Sequence, residues 1–138
     1  MGLLGDGAVV AWIEDAPTGL DGPASAMVAN LDASGHVVGR PHALPAAARG
    51  RPTANALGAT TDGLRVAMIR SDHDDVTVDA ATIAADGTPG RTWPLLDLDA
   101  PPSFEVALAL SGDAILFDDV GASPADHRVR RAAVSWTR

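Results

Sequence analysis

Three stretches of this chain share one pattern: a turn dipeptide followed at once by a short apolar run. Their spacing limits the fold more than any other feature. Asp6-Gly7-Ala8-Val9-Val10-Ala11-Trp12-Ile13 is matched 56 residues on by Asp62-Gly63-Leu64-Arg65-Val66-Ala67-Met68-Ile69. A further 49 residues on comes Ser111-Gly112-Asp113-Ala114-Ile115-Leu116-Phe117. A second landmark follows the first two. Leu31-Asp32-Ala33-Ser34-Gly35 is answered by Ile83-Ala84-Ala85-Asp86-Gly87 at an offset of 52. Gly39-Arg40-Pro41-His42-Ala43-Leu44 is answered by Gly90-Arg91-Thr92-Trp93-Pro94-Leu95 at an offset of 51. Landmarks in the same order at a near-constant period are the signature of a repeat architecture.

The repeating unit reads as strands. Val9 to Ile13 and Val66 to Ile69 are short apolar runs. Ala24 to Leu31 and Val76 to Ile83 are mixed. The Asp-Gly and Ser-Gly pairs between them are hairpin chemistry, because glycine takes a positive φ without steric cost. No window carries sustained helical spacing of apolar residues, and the Ala-rich stretch from Ala43 to Ala48 is broken by Pro45. The middle unit is the most complete. It predicts an inner strand over Thr53 to Ala59, then Leu64 to Arg70, Val76 to Ala84, and an outer strand over Arg91 to Leu96. Four antiparallel strands per unit of about 50 residues is the size of one β-propeller blade. The expected fold is therefore all-β, a partial propeller of about three four-stranded blades in one domain over residues 1–138, with approximate repeats 1–50, 51–99 and 100–138. A β-sandwich is the alternative, since it too has short strands and frequent turns.

Asp62-Gly63 leading into an apolar strand, followed by Ala84-Ala85-Asp86-Gly87, resembles the blades of bacterial repeat propellers of poorly defined function. The resemblance runs along nearly the whole chain and implies a fold only; it brings no catalytic residue with it. Gly90-Arg91-Thr92-Trp93 resembles the end of the Asp-box of sialidase-like propellers, but Thr88 stands where that motif has Asp.

A closed propeller typically has four to eight blades. About ten strands are readable here, where three whole four-stranded blades need twelve. Open edges invite pairing with another chain, and uncovered blade faces make large apolar patches. The expectation is a homo-oligomer, or a partner chain that completes the propeller. Val129 to Trp136 should form an exposed edge carrying Ala132, Val134 and Trp136, with Arg128, Arg130 and Arg131 beside them.

Charge narrows the partners. The net charge is −8, from sixteen Asp and two Glu against ten Arg and no Lys. Nucleic-acid binding needs a basic surface and is excluded as an expectation. There is no Cys, so no disulfide framework and no thiol nucleophile. No apolar run approaches the ~20 residues of a membrane span. Met1-Gly2-Leu3-Leu4-Gly5-Asp6-Gly7 has neither a basic n-region nor a long apolar h-region, so it does not read as a signal peptide, and the compartment stays open.

In a four-stranded meander, the loops after the second strand and the crossovers between blades share one face. Those segments are long here, and long loops on a rigid scaffold are where binding usually lives. They are also acidic. The candidate ligand- or cation-binding residues are Asp15, Asp21, Asp72, His73, Asp74, Asp75, Asp118, Asp119, Asp126 and His127. Clustered carboxylates attract cations, and Ca²⁺ takes six to eight oxygens. The competing reading is a set of solvated turns that use Asp for its turn geometry. Ser71-Asp72-His73-Asp74-Asp75 lacks the sixth-position glycine of an EF-hand, and no histidine pair has metal-ligand spacing. No Gly-x-Ser-x-Gly elbow is present. The leading function is a non-enzymatic interaction or ligand-binding module with no cofactor beyond a candidate Ca²⁺. The alternative is a hydrolase subunit with a cation-binding acidic loop face. The predicted core positions are Val10, Trp12, Val66, Met68, Ile115 and Phe117.

Overall fold

The fold is described from a computed structural model, which describes residues 2–4, 7–15, 24–47, 50–60, 63–72, 75–84, 86–98, 108–111, 114–120, 127–134 and 136. These residues are all-β. The strands are β1 (Gly2–Leu4), β2 (Gly7–Asp15), β3 (Ala24–Leu31), β4 (Val37–Ala43), β5 (Arg51–Thr60), β6 (Gly63–Asp72), β7 (Asp75–Ile83), β8 (Pro89–Leu98), β9 (Leu108–Ser111), β10 (Ala114–Val120) and β11 (His127–Ala133). They build three separate antiparallel sheets. Sheet one runs β1-β2-β3-β4, sheet two β5-β6-β7-β8, and sheet three β9-β10-β11, each strand beside its sequence neighbour.

Turn chemistry sets this topology. The first hairpin of each sheet closes in the same way, on the pairs Leu4↔Gly7, Thr60↔Gly63 and Ser111↔Ala114, with two residues between. Two-residue loops force neighbouring strands into tight antiparallel pairs. The β3–β4 and β7–β8 turns also match. Gly35 N–H donates to the Asp32 carbonyl at 3.0 Å and Asp32 N–H to the His36 carbonyl at 2.9 Å; Gly87 N–H donates to the Ala84 carbonyl and Ala84 N–H to the Thr88 carbonyl, both at 2.9 Å. Gly35 and Gly87 sit at φ of 81° and 79°, the left-handed region where a side chain is strained.

Sheet two lies in the middle and is covered on both faces. Residues 64–70 of β6 are therefore buried without a break, whereas strands with one wet face alternate. One core fills the space between sheets one and two, with Val9, Ala26, Val28 and Leu44 against Leu64, Val66, Met68, Ala81 and Ile83. The other lies between sheets two and three, where Ala67, Ile69, Val76 and Val78 meet Ile115, with Leu110, Ala132, Val134 and Trp136 packed around them. Each Val, Leu, Ile or Met side chain among them contributes roughly 1.5–3 kcal/mol when taken from water. The first strands of the sheets come close together: β5 touches β1 on one side and β9 on the other. At Gly58 in β5 an added Cβ would lie 2.6 Å from Leu110 Cβ, so the absent side chain is what permits the approach.

Of the predicted core, Val66, Met68 and Ile115 are fully buried. Val10 and Trp12 are only half-buried, and Val9 takes their place. Strand side chains alternate between faces, so Val9 and Ala11 point into the first core while Val10 and Trp12 point out of it. The Phe117 side chain lies outside what the structure describes. Trp93 is buried and Trp136 half-buried.

Candidate functional site

The strand directions gather the acidic positions at one end of the sheets. β2, β6 and β10 all run away from their two-residue hairpins, so their far ends share a side. The closing pairs there are Asp15↔Ala24, Asp72↔Asp75 and Val120↔His127. Sheets one and two are tied together at this end, because Arg51 Nη2 at the start of β5 donates to Asp15 Oδ1 at the end of β2. Asp15 thus balances an arginine. Asp72 and Asp75 are exposed and face each other across the β6–β7 hairpin. Asp118 and Asp119 lie in β10 opposite Val129 and Arg128 of β11; their side chains, and that of His127, lie outside the described set. Asp21, His73, Asp74 and Asp126 fall outside the described residues altogether. Among the described residues no group of three His, Cys, Asp or Glu side chains is placed to hold a metal ion. Likewise, among them no helix is long and apolar enough to cross a membrane.

Behind this end lies a charge pair that the sequence reading missed. Arg70 Nε donates to Asp79 Oδ2 at 2.8 Å, with the two side chains 5% and 0% exposed. Asp79 Oδ2 also accepts the Ala47 backbone N–H at 3.0 Å, and Arg70 Nη1 donates to the Gly50 carbonyl at 3.3 Å. Ala47 and Gly50 belong to the crossover from β4 to β5. The pair therefore pins the segment that links sheets one and two. Burying charge costs several kcal/mol per ion unless partners surround it, and the crossover backbone supplies them. The one signal in the sequence was a lone acid within the apolar run Val76–Ile83.

The third feature is the outer face of sheet one. Pair registers Val10↔Ala29, Trp12↔Met27 and Ala8↔Leu31 put Ala8, Val10, Trp12, Met27 and Leu31 on it. These five are uncharged and half-buried, Ala29 opposite Val10 is buried, and Glu14 and Ser25 at the end of the face are exposed. Counting from the closing pairs Leu4↔Gly7 and Thr60↔Gly63, the positions of Ala8, Val10 and Trp12 in β2 correspond to Leu64, Val66 and Met68 in β6. The latter three are 2%, 0% and 0% exposed, covered by sheet one. At the end of this face the Gly35 turn has nothing within 4 Å of a Cβ, whereas at the matching Gly87 a Cβ would lie 2.3 Å from Asn30 Oδ1 of sheet one.

Comparisons with family models, with curated proteins and with solved structures return no match.

Proposed function

We propose that this chain is a non-enzymatic interaction module, a partial β-propeller of three blades whose ring is closed by a second copy of the same chain. Three features support a propeller arrangement over a sandwich: sheets that follow one another in sequence order, first strands β1, β5 and β9 that touch in succession, and hairpins and turns that match between sheets. The observation that carries the proposal is the outer face of sheet one. Its Ala8, Val10 and Trp12 occupy the positions that sheet two buries completely, yet they stand half-exposed. A second copy suits this face for two reasons. From Ala8 to Trp12 the face carries no charge, and Glu14 stands exposed only at its end, so two chains of net charge −8 can meet over its middle. The outer face of sheet three offers Leu116, Val129 and Arg131, with Asp118 as the cross-strand partner of Val129, a partly apolar surface of mixed charge. Contact of sheet one with sheet three of the other copy, made twice about a two-fold axis, closes a ring of six sheets.

The test is sedimentation velocity of the chain and of Trp12→Glu, which sets a charge in the middle of the face. The parent should sediment as a dimer and the variant as a single chain with unchanged far-ultraviolet circular dichroism. A variant that sediments like the parent would overturn the assignment of this face.

A further inference from the structure

We infer that β11 is a docking edge for an acidic, proline-free extended segment of a partner protein, added to sheet three as its fourth strand. In sheets one and two the third strands, β3 and β7, are internal and pair on both sides. β11 holds the same place in its sheet, and no described strand pairs with its other side. A strand edge of this kind offers unpaired backbone N–H and C=O groups to an incoming chain.

The molecule treats its outer edges differently. β4 contains Pro41, Gly39 at a φ of 77°, and a register shift opposite Val28 to Asn30. β8 contains Pro89 and Pro94 and has two register shifts against β7. Proline and bulges are devices that stop an edge from accepting another strand. β11 has neither. Its seven residues pair with β10 from Ala114↔Ala133 to Val120↔His127 without a shift, so its free side is regular enough to template another strand.

Charge selects the occupant. β11 reads His-Arg-Val-Arg-Arg-Ala-Ala, with Val129, Arg130 and Arg131 all exposed. Three of the ten basic residues of an acidic protein lie within four positions here. Arg130 and Arg131 point to opposite faces of the sheet, so a strand laid beside them meets positive charge on both. Acidic side chains opposite them gain cross-strand pairing, and basic ones lose it. The edges of a second copy do not fit: β4 carries Arg40 and Pro41, β8 carries Arg91 and two prolines, and β1, β5 and β9 carry no acidic residue. The site is the backbone edge of β11, whereas the second copy proposed above meets the outer face of sheet three, which includes the Val129 and Arg131 side chains.

The test is fluorescence anisotropy of three labelled peptides of about seven residues on the unmodified chain. One alternates Glu and Val, the second replaces a central Val by Pro, and the third replaces Glu by Lys. The Glu peptide should bind, the Pro peptide about tenfold more weakly because it loses a backbone donor, and the Lys peptide not at all. Binding of the Glu peptide should protect alternate β11 amides from hydrogen exchange, and Arg130→Glu, which leaves the outer face of sheet three unchanged, should weaken it by at least about tenfold. Equal binding of the Glu and Pro peptides would overturn strand addition, as would protection elsewhere than β11. No binding of the Glu peptide at low salt would overturn the docking edge itself.

Discussion

Arg70 Nε meets Asp79 Oδ2 at 2.8 Å inside the middle sheet, and the same carboxylate oxygen holds the Ala47 N–H of the crossover. One buried charge pair thus fastens the segment joining two sheets. Removing one member strands the other. Asp79→Ala should lower stability by about 3–5 kcal/mol, while Arg70→Met with Asp79→Leu should cost far less, because no charge is then left buried. Urea unfolding of the two variants checks this; equal losses would contradict the pairing.

Gly35 and Gly87 share one turn geometry but not one environment. An added methyl at Gly35 meets open space, so Gly35→Ala should cost only the strain of positive φ, about 1–2 kcal/mol. Gly87→Ala carries the same strain and adds a Cβ against the Asn30 amide, the end of a side chain that can turn aside, so its loss should exceed that of Gly35→Ala only by the cost of moving that amide. Thermal melts of both variants, compared at equal concentration, read the difference directly.

Gly58→Ala tests the closeness of the inner strands. The new Cβ would lie 2.6 Å from Leu110 Cβ, an atom fixed to its backbone. Sheets two and three must shift apart, at a cost of about 1–3 kcal/mol. Adding Leu110→Ala should recover little of it, because alanine keeps that Cβ, whereas Leu110→Gly removes it and should recover more.

Asp86 is held below the ordinary carboxylate range, first by the Thr88 backbone N–H that donates to it at 2.9 Å, then by the Thr88 side chain. A carboxylate with a depressed folded-state pKa adds stability that is complete above its unfolded value and fades as pH falls through the folded one. The contribution should therefore be present at neutral pH and disappear below about pH 4. In Asp86→Asn the acid limb of the stability profile should flatten. NMR titration of the Asp86 carboxyl should show a midpoint lower than that of an unstructured Asp.

The strands were legible because turns and apolar runs alternate clearly. The predicted Thr53 to Ala59, Leu64 to Arg70 and Arg91 to Leu96 fall inside β5, β6 and β8, and Val76 to Ala84 matches β7 with both ends shifted by one residue. The depth of each face was not legible. Ala8, Val10 and Trp12 have the same apolar pattern as Leu64, Val66 and Met68, and period two says which residues share a face without saying whether a neighbour covers it. The Arg70–Asp79 tie was hidden for a related reason. Asp79 lies diagonally across a hairpin from Arg70, a relation fixed by the register of β6 with β7 rather than by spacing along the chain. At the acidic end, the count of carboxylates showed the charge but not that Arg51 from the next sheet would take Asp15.

The mass of the unmodified chain in solution tests the open ring most directly. Light scattering over a series of micromolar concentrations, at low and high salt, should give twice the 14.0 kDa of one chain, with a melting temperature that rises with concentration because association stabilises the folded state. A single chain of 14.0 kDa at every concentration, melting cooperatively at one fixed temperature, would contradict the open ring and leave a self-contained sandwich of three sheets.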